Sequence, residues 1–242
     1  FYDWQGYPQW PALDDQIYDG NLNINDDFGT GTWAVHYQAI ADLNPAIKSM
    51  VEDKLGSSAT QEVKDQLMAQ AKFLRAWNYF MLVRLYGDVP LITETTDVIN
   101  SEITRAPIAE VYNLIVSDLL FATQNLPEEW PPEQKARPTA DAAKGMLAKV
   151  YITMATNPMN DASKYAEARD MAKQVMDGSR YSLVPKVWDV FKMENEFGPE
   201  FMWSWHNSEE EYVIEPQIWL PVEIAGCWCD VTAEKIFGAA FA

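Results

Sequence analysis

Between Trp33 and Leu55 apolar side chains return at three-, four- and seven-residue steps, at Trp33, Tyr37, Ile40, Ile47, Val51 and Leu55. This spacing lays them along one side of an α-helix and predicts a helix over 33–55, ended by Gly56. Ser58 with Gln61 reads as a capping box opening a second helix over 59–86, with Leu67, Leu74, Phe80 or Met81, and Leu85 as its stripe and Gly87 just past its end. A third, 107–126, starts at Pro107, a residue suited to the first helical turn. It carries Ile108, Val111, Tyr112, Ile115, Leu119, Ala122 and Leu126 on one face. Thr139 is a fitting N-cap for a fourth helix over 139–156, built on Ala143, Leu147, Val150 and Met154, and a fifth spans 163–177 before Gly178.

Small residues at Ala143, Gly145, Ala148, Ala166 and Ala168 would let the last two helices approach closely. YAEARDMAKQV is similar to the second helix of a tetratricopeptide unit, although no strict repeat is present. From Glu200 the period shortens to two. Phe201, Trp203 and Trp205 alternate with Met202, Ser204 and His206, which predicts a strand or a buried edge. A similar switch occurs inside AKFLRAWNYFMLVRLYGDVPLITE (71–94), helical up to Tyr86 and extended after Pro90. Gly87 suits a left-handed cap, Asp88 can bond nearby turn backbone, and Pro90 forbids helix continuation. Arg75 and Arg84 are expected to satisfy buried carbonyl or carboxylate groups.

The 242 residues, 48% hydrophobic and 13% aromatic, suffice for one large core or two modest ones. Their 36 acidic and 18 basic residues leave a formal charge of −18. That field repels phosphate backbones and anionic headgroups, which excludes nucleic acid as a partner and favours a neutral ligand over a polyanionic glycan. No stretch approaches the ~18 apolar residues of a membrane span. Cys227 and Cys229, in CWC, are too close for an easy bridge and lack the further ligands of a zinc site, and His36 and His206 lie in no metal-binding spacing. No cofactor or metal is expected. Asp and Glu are abundant, but no GxSxG, P-loop or GxGxxG is present, so the chain reads as a binder and not an enzyme. The chain begins FYDW without a leader and ends VTAEKIFGAAFA, the opening of an amphipathic helix, and we expect it to be a fragment.

FLRAWNYFMLVRLYGDVPLITE (73–94) resembles the hallmark segment of the SusD/RagB family of surface glycan-binding lipoproteins. So do WAVHYQAIADLN (33–44), which is similar to the family's W-x3-Y-x2-I-x3-N helix, VYNLIVSDLLFATQNLP (111–127), RPTADAAKGMLAKVYI (137–152) and PEFMWSW (199–205), in the family's order. The resemblance implies a mostly α fold: tetratricopeptide-like helix pairs forming a right-handed superhelix, with an irregular part of loops and short strands that carries the sugar site. It implies one incomplete domain over 1–242, with a helical scaffold at 33–177 and loop-rich, ligand-facing parts at 1–32 and 178–242. Members bind polysaccharide or oligosaccharide without catalysis on the extracellular face of the outer membrane. They deliver it to a SusC-like TonB-dependent transporter. We expect the lipid anchor that would hold the protein to the membrane to lie outside this sequence. The alternatives are a helical-repeat scaffold whose ligand is a protein and, with less support, a glycoside hydrolase.

A neutral sugar presents apolar C–H faces and a rim of hydroxyls, so its site needs exposed aromatic platforms beside Asp, Asn or Gln. The aromatic stretches without helical or strand period meet this need. They supply Trp4 and Trp10, then Asn25, Asp26, Asp27 and Phe28, and at the other end Trp219 and Trp228. Trp33, Trp77, Tyr79, Trp203 and Trp205 are expected to be packed, and Glu209, Glu210 and Glu211 to form a solvated rim.

Overall fold

The structure is a computed structural model that describes residues 27–93, 103–190, 192, 195 and 197–204, with backbone alone at 27–30. Thr32–Trp205 forms one compact unit. Its helices are α1 (Asp27–Val51), α2 (Gln61–Tyr86), α3 (Ile108–Asn125), α4 (Ala140–Ala155), α5 (Lys164–Asp177) and the single turn α6 (Val187–Val190). α2 packs on α3 and α4 on α5, with α3 against α4 joining the two pairs. α1 reaches α2 through long side chains. The mostly helical, paired architecture expected from the hydrophobic period is therefore present.

The third helix is the clearest case of period becoming structure. Val111, Tyr112, Ile115, Leu119, Ala122 and Leu126 are all buried and Ile108 packs against the same core. Its first N–H groups have no intrahelical partner, and Pro107 offers no side-chain oxygen to cap them. Asp88 Oδ1, twenty residues earlier in the chain, accepts from Ile108 N at 2.8 Å. Asp88 thus acts beyond its own turn and caps the following helix.

Several boundaries differ from expectation for local reasons. α1 begins at Asp27 and ends at Val51, with Pro45 inside it. Asp53 takes φ 52° and Gly56 φ 49°, and the chain turns through a 3-10 segment at Gly56–Ser58. Val51, expected inside, is 70% exposed. The N-cap of α2 is Thr60 and not Ser58, its side chain accepting from Val63 N at 3.3 Å. Thr139 does cap α4, accepting from Ala142 N at 3.2 Å. Gly87 has φ 69° and ψ −125°, a positive φ outside the left-handed helical well that only glycine adopts readily. Gly178 has an ordinary φ of −69°. Ser179, at φ 56°, makes the left-handed turn instead.

The expected stripe of α2 is met in part: Phe80 is buried and Leu74 packs against the core, but Leu67 and Leu85 are 39% and 57% exposed, and Ala69, Phe73, Ala76, Tyr79, Leu82 and Val83 are buried as well. A helix lying between α1 and α3 buries two faces, so no single period describes it. Its buried polar residue Arg75 donates from Nε to Asp118 Oδ2 at 2.8 Å, from Nη2 to Asp118 Oδ1 at 3.0 Å and from Nη1 to Asn44 Oδ1 at 3.0 Å. Arg84, by contrast, is exposed, with its guanidinium 5.2 Å from the Phe80 ring centre. Among the described residues it satisfies no buried acceptor, which corrects that expectation.

No strand occurs among the described residues, and Val89 pairs with Ala106 only as an isolated bridge. The 201–204 alternation reflects side-chain packing and not a strand among the described residues. Trp203 sits edge-on to Phe73 at 5.0 Å and donates from Nε1 to Ala136 O at 3.1 Å. Met202 lies over Gly145, where an added Cβ would come 2.5 Å from its Cε. That close approach admits a flexible side chain and not helix α5. Gly145→Ala should therefore change stability by less than about 1 kcal/mol, because the gain in helix propensity offsets a shift of Met202; thermal melting of the variant checks this.

Candidate functional site

Most of the sequence-predicted sugar contacts fall outside the described residues: Trp4, Trp10, Asn25 and Asp26 precede them, and Trp219 and Trp228 follow them. Asp27 and Phe28 open the first turn of α1, described by backbone only. Trp205, the acidic run 209–211, Cys227 and Cys229 also lie outside.

The described body shows what the aromatic motif on α1 does. Trp33 packs on Tyr37 at 4.9 Å and edge-on to Tyr86 at 5.0 Å. Tyr37 donates its hydroxyl to Pro90 O at 2.7 Å, Ile40 is core, and Asn44 Nδ2 donates to Ile92 O at 3.0 Å. Tyr79 on α2 joins them. Its hydroxyl donates to Ile92 O and accepts from Ile92 N, each at 2.8 Å. Side chains of two helices thus satisfy the backbone of the extended segment after Pro90, in place of a neighbouring strand. Burial pushes the Tyr79 phenol up to about 12 and raises that of Tyr37 further, so both remain neutral donors at physiological pH. The hallmark segment is architecture, and it sets the direction in which the chain leaves Thr93.

The remaining polar clusters bind structure together. His36 Nδ1 donates to Asn78 Oδ1 at 2.8 Å, and its ring lies 5.4 Å from that of Trp77. The imidazole thus meets an amide and an indole and ties α1 to α2. Asp141, with a side chain 1% exposed, accepts from Lys144 at 2.9 Å and from Arg180 Nε and Nη2 at 2.8 and 2.6 Å. Arg180 also donates to Glu128 at 2.6 Å, which ties the chain after α5 to the α3–α4 connection. Burial pushes the Asp141 carboxyl up, but hydrogen bonds and charge from Lys144 and Arg180 outweigh it and hold it below the ordinary 3.8.

A folded value below the unfolded one means that this carboxylate contributes stability above the ordinary range and loses it as pH falls through the folded value. Asp141→Asn should accordingly be less stable than the parent at neutral pH. The gap should narrow as pH drops below about 4, as read from urea midpoints at a series of pH values.

Among described aromatics, most tryptophans are engaged. Trp130 donates from Nε1 to Pro138 O at 2.8 Å and carries the Arg137 guanidinium 5.4 Å from its ring centre. Trp33 and Trp203 pack against the core, as expected. Trp188 is different. It is 81% exposed on α6, and its chain neighbour Val187 is 75% exposed. The sequence reading did not single it out, although KVWDVF lacks a helical or strand period as the expected sugar contacts do.

A family profile described as "Starch-binding associating with outer membrane" (SusD-like) matches residues 9–152. A SusD-like protein from Bacteroides ovatus is 29% identical over 220 residues, 89% of this chain and 36% of the relative. The crystal structure of a SusD superfamily protein from Parabacteroides distasonis superposes with a TM-score of 0.78 at 28% identity, covering 86% of this chain and 44% of that one. A structure determined with a xylogluco-oligosaccharide gives a TM-score of 0.68 at 27% identity, covering 84% and 39%. The chain therefore spans well under half the length of these relatives. The profile match covers more than half of the chain and coincides with the α1–α4 body and its aromatic clamp: the chain belongs to the SusD-like family.

Proposed function

We propose that this chain is part of a non-catalytic glycan-binding protein of the outer membrane, which takes up a neutral polysaccharide or oligosaccharide and passes it to a SusC-like TonB-dependent transporter. The observation that carries the reading is the fold shared with the relative solved with a xylogluco-oligosaccharide. The charge of −18 fits a neutral ligand. In this reading the protein sits on the extracellular face, anchored by a lipid on a residue outside these 242, and no enzymatic step takes place.

The aromatic stretches outside the described body are the proposed platform, with Trp219 and Trp228 foremost, supported by Trp4, Trp10 and Phe28 and by the hydrogen-bonding Asn25, Asp26 and Asp27. Affinity electrophoresis against a panel of neutral polysaccharides tests the reading. Trp219→Ala and Trp228→Ala should each remove about 1–3 kcal/mol of binding while leaving the melting temperature unchanged. Affinity should change less than about threefold between low and physiological salt, since stacking and neutral hydrogen bonds are little screened. Failure to retain any neutral polysaccharide, or release of reducing sugar from one that is retained, would refute the proposal.

A further inference from the structure

We propose that Asn44 couples the buried Arg75–Asp118 pair to the extended segment after Pro90, so that a change made on α3 is transmitted to the backbone of Ile92. The route is continuous. Asn44 on α1 is 2% exposed; its Oδ1 accepts from Arg75 Nη1 at 3.0 Å and its Nδ2 donates to Ile92 O at 3.0 Å. Arg75 holds Asp118 of α3 through Nε and Nη2, and Ile92 O also accepts from the Tyr79 hydroxyl at 2.8 Å. Arg75 and Tyr79 stand four positions apart on α2, which puts them on one face of that helix. The bonds therefore close a ring, from Arg75 to Asn44, to Ile92, to Tyr79, and back along one turn of α2.

The chemistry allows the central amide one orientation. A guanidinium only donates and a carbonyl only accepts, so Oδ1 faces Arg75 and Nδ2 faces Ile92. Turning the amide over would set donor against donor and acceptor against acceptor in a site nearly closed to water, where unpaired polar groups are costly. Because the amide is planar, the position of the guanidinium fixes the direction of the N–H that holds Ile92. That position is set in turn by the two oxygens of Asp118, and bonds linked in this way inside a protein reinforce one another.

The Tyr79 hydroxyl responds to the same pair. Burial pushes its phenol up, the bond to Ile92 and the Arg75 charge pull it down, and the Asp118 charge raises it. Tyr37 supplies a contrast. It donates to Pro90 O at 2.7 Å and so holds the same segment from outside the ring.

Amide hydrogen exchange at Ile92, whose N–H is donated to the Tyr79 hydroxyl at 2.8 Å, reads the coupling by NMR. The amide of Leu147, in the α4 core, corrects each variant for global stability. Asp118→Asn keeps an acceptor for Arg75 but removes the charge, and should speed exchange at Ile92 by about tenfold or more. In an Asn44→Leu background the same change should act by less than about twofold, whereas in a Tyr37→Phe background it should act as in the parent. A response below about twofold in the parent, or an equal response with and without Asn44, overturns the proposal. Loss of the response in Tyr37→Phe overturns it as well, since the route would then run through Tyr37. Asn44→Asp gives a second reading that does not depend on Asn44→Leu folding: it keeps an acceptor for Arg75 and sets an acceptor against Ile92 O. Exchange at Ile92 should then rise by about tenfold, and more than at Leu147. Equal changes at the two amides would also overturn the coupling.

Discussion

Asp118→Ala is expected to destabilise the protein by about 3–5 kcal/mol, because it strips a buried cation of its partner. The Asp118 side chain is 1% exposed and accepts from Arg75 twice and from Lys72 Nζ at 3.0 Å. Removing it leaves the Arg75 guanidinium, itself 4% exposed, with Asn44 Oδ1 as its one remaining acceptor among those described. The intact pair need not stabilise the fold by anything like that amount, since desolvating both charges costs much of what their attraction returns. Replacing both partners with apolar groups of similar volume, Arg75→Met with Asp118→Leu, should thus recover most of the loss. Urea unfolding followed by far-UV circular dichroism reads both. A loss under about 1 kcal/mol in the single variant would mean that Arg75 reaches water.

That Arg75 would meet a buried carbonyl or carboxylate group was expected; why its partner could not be named from the sequence, while α3 was plain, is a matter of range. The inward residues of α3 lie within one helical period of each other, and a single buried face is enough to explain them all. Arg75 and Asp118 are 43 residues apart, on different helices, and nothing in the local pattern names one as the partner of the other. The same holds for Asp88, which could be read as a turn residue but caps a helix that begins after residues 94–102. α2 failed for a related reason. With α1 on one side and α3 on another, it buries Phe73 and Phe80, Ala69 and Leu82, and the polar Arg75 and Asn78 as well. Leu67 and Leu85 satisfied the period and still face water.

The alternation at 201–204 shows the opposite failure. Its aromatic and sulfur side chains contact Phe73 and Gly145 without taking a strand conformation among the described residues, and period two alone does not report whether a ladder partner exists. For the ligand site, most of the residues that carried the expectation lie beyond the described body, and Asp27 and Phe28 stand in the first turn of α1, described by backbone only. Their argument remains one from composition, aromatic side chains beside acids and amides without a helical period. Trp188 was overlooked by the same reasoning, although its segment also lacks a period. What separates it from Trp203, fifteen positions later, is that the Trp203 ring packs on Phe73 of α2 while Trp188 is exposed.

Trp33→Ala should destabilise the protein by about 3 kcal/mol, toward the lower end for a large aromatic because the ring is only partly buried. Three groups depend on that ring: Tyr37 at 4.9 Å, Tyr86 edge-on at 5.0 Å, and the Arg105 guanidinium 5.4 Å from its centre. Arg105 in turn donates to Tyr86 O at 3.3 Å and Asp88 O at 2.8 Å, the carbonyls left open where α2 ends. Loss of the indole therefore removes apolar contact and also loosens the cation that closes the end of α2, next to the Asp88 cap of α3. Trp33→Phe keeps an aromatic face for Arg105 and should recover at least half of the loss. If the destabilisation came only from lost volume, Trp33→Leu would recover as much as Trp33→Phe. A clear excess for Phe, measured by urea midpoints under one set of conditions, identifies the aromatic–guanidinium contact as the distinguishing contribution.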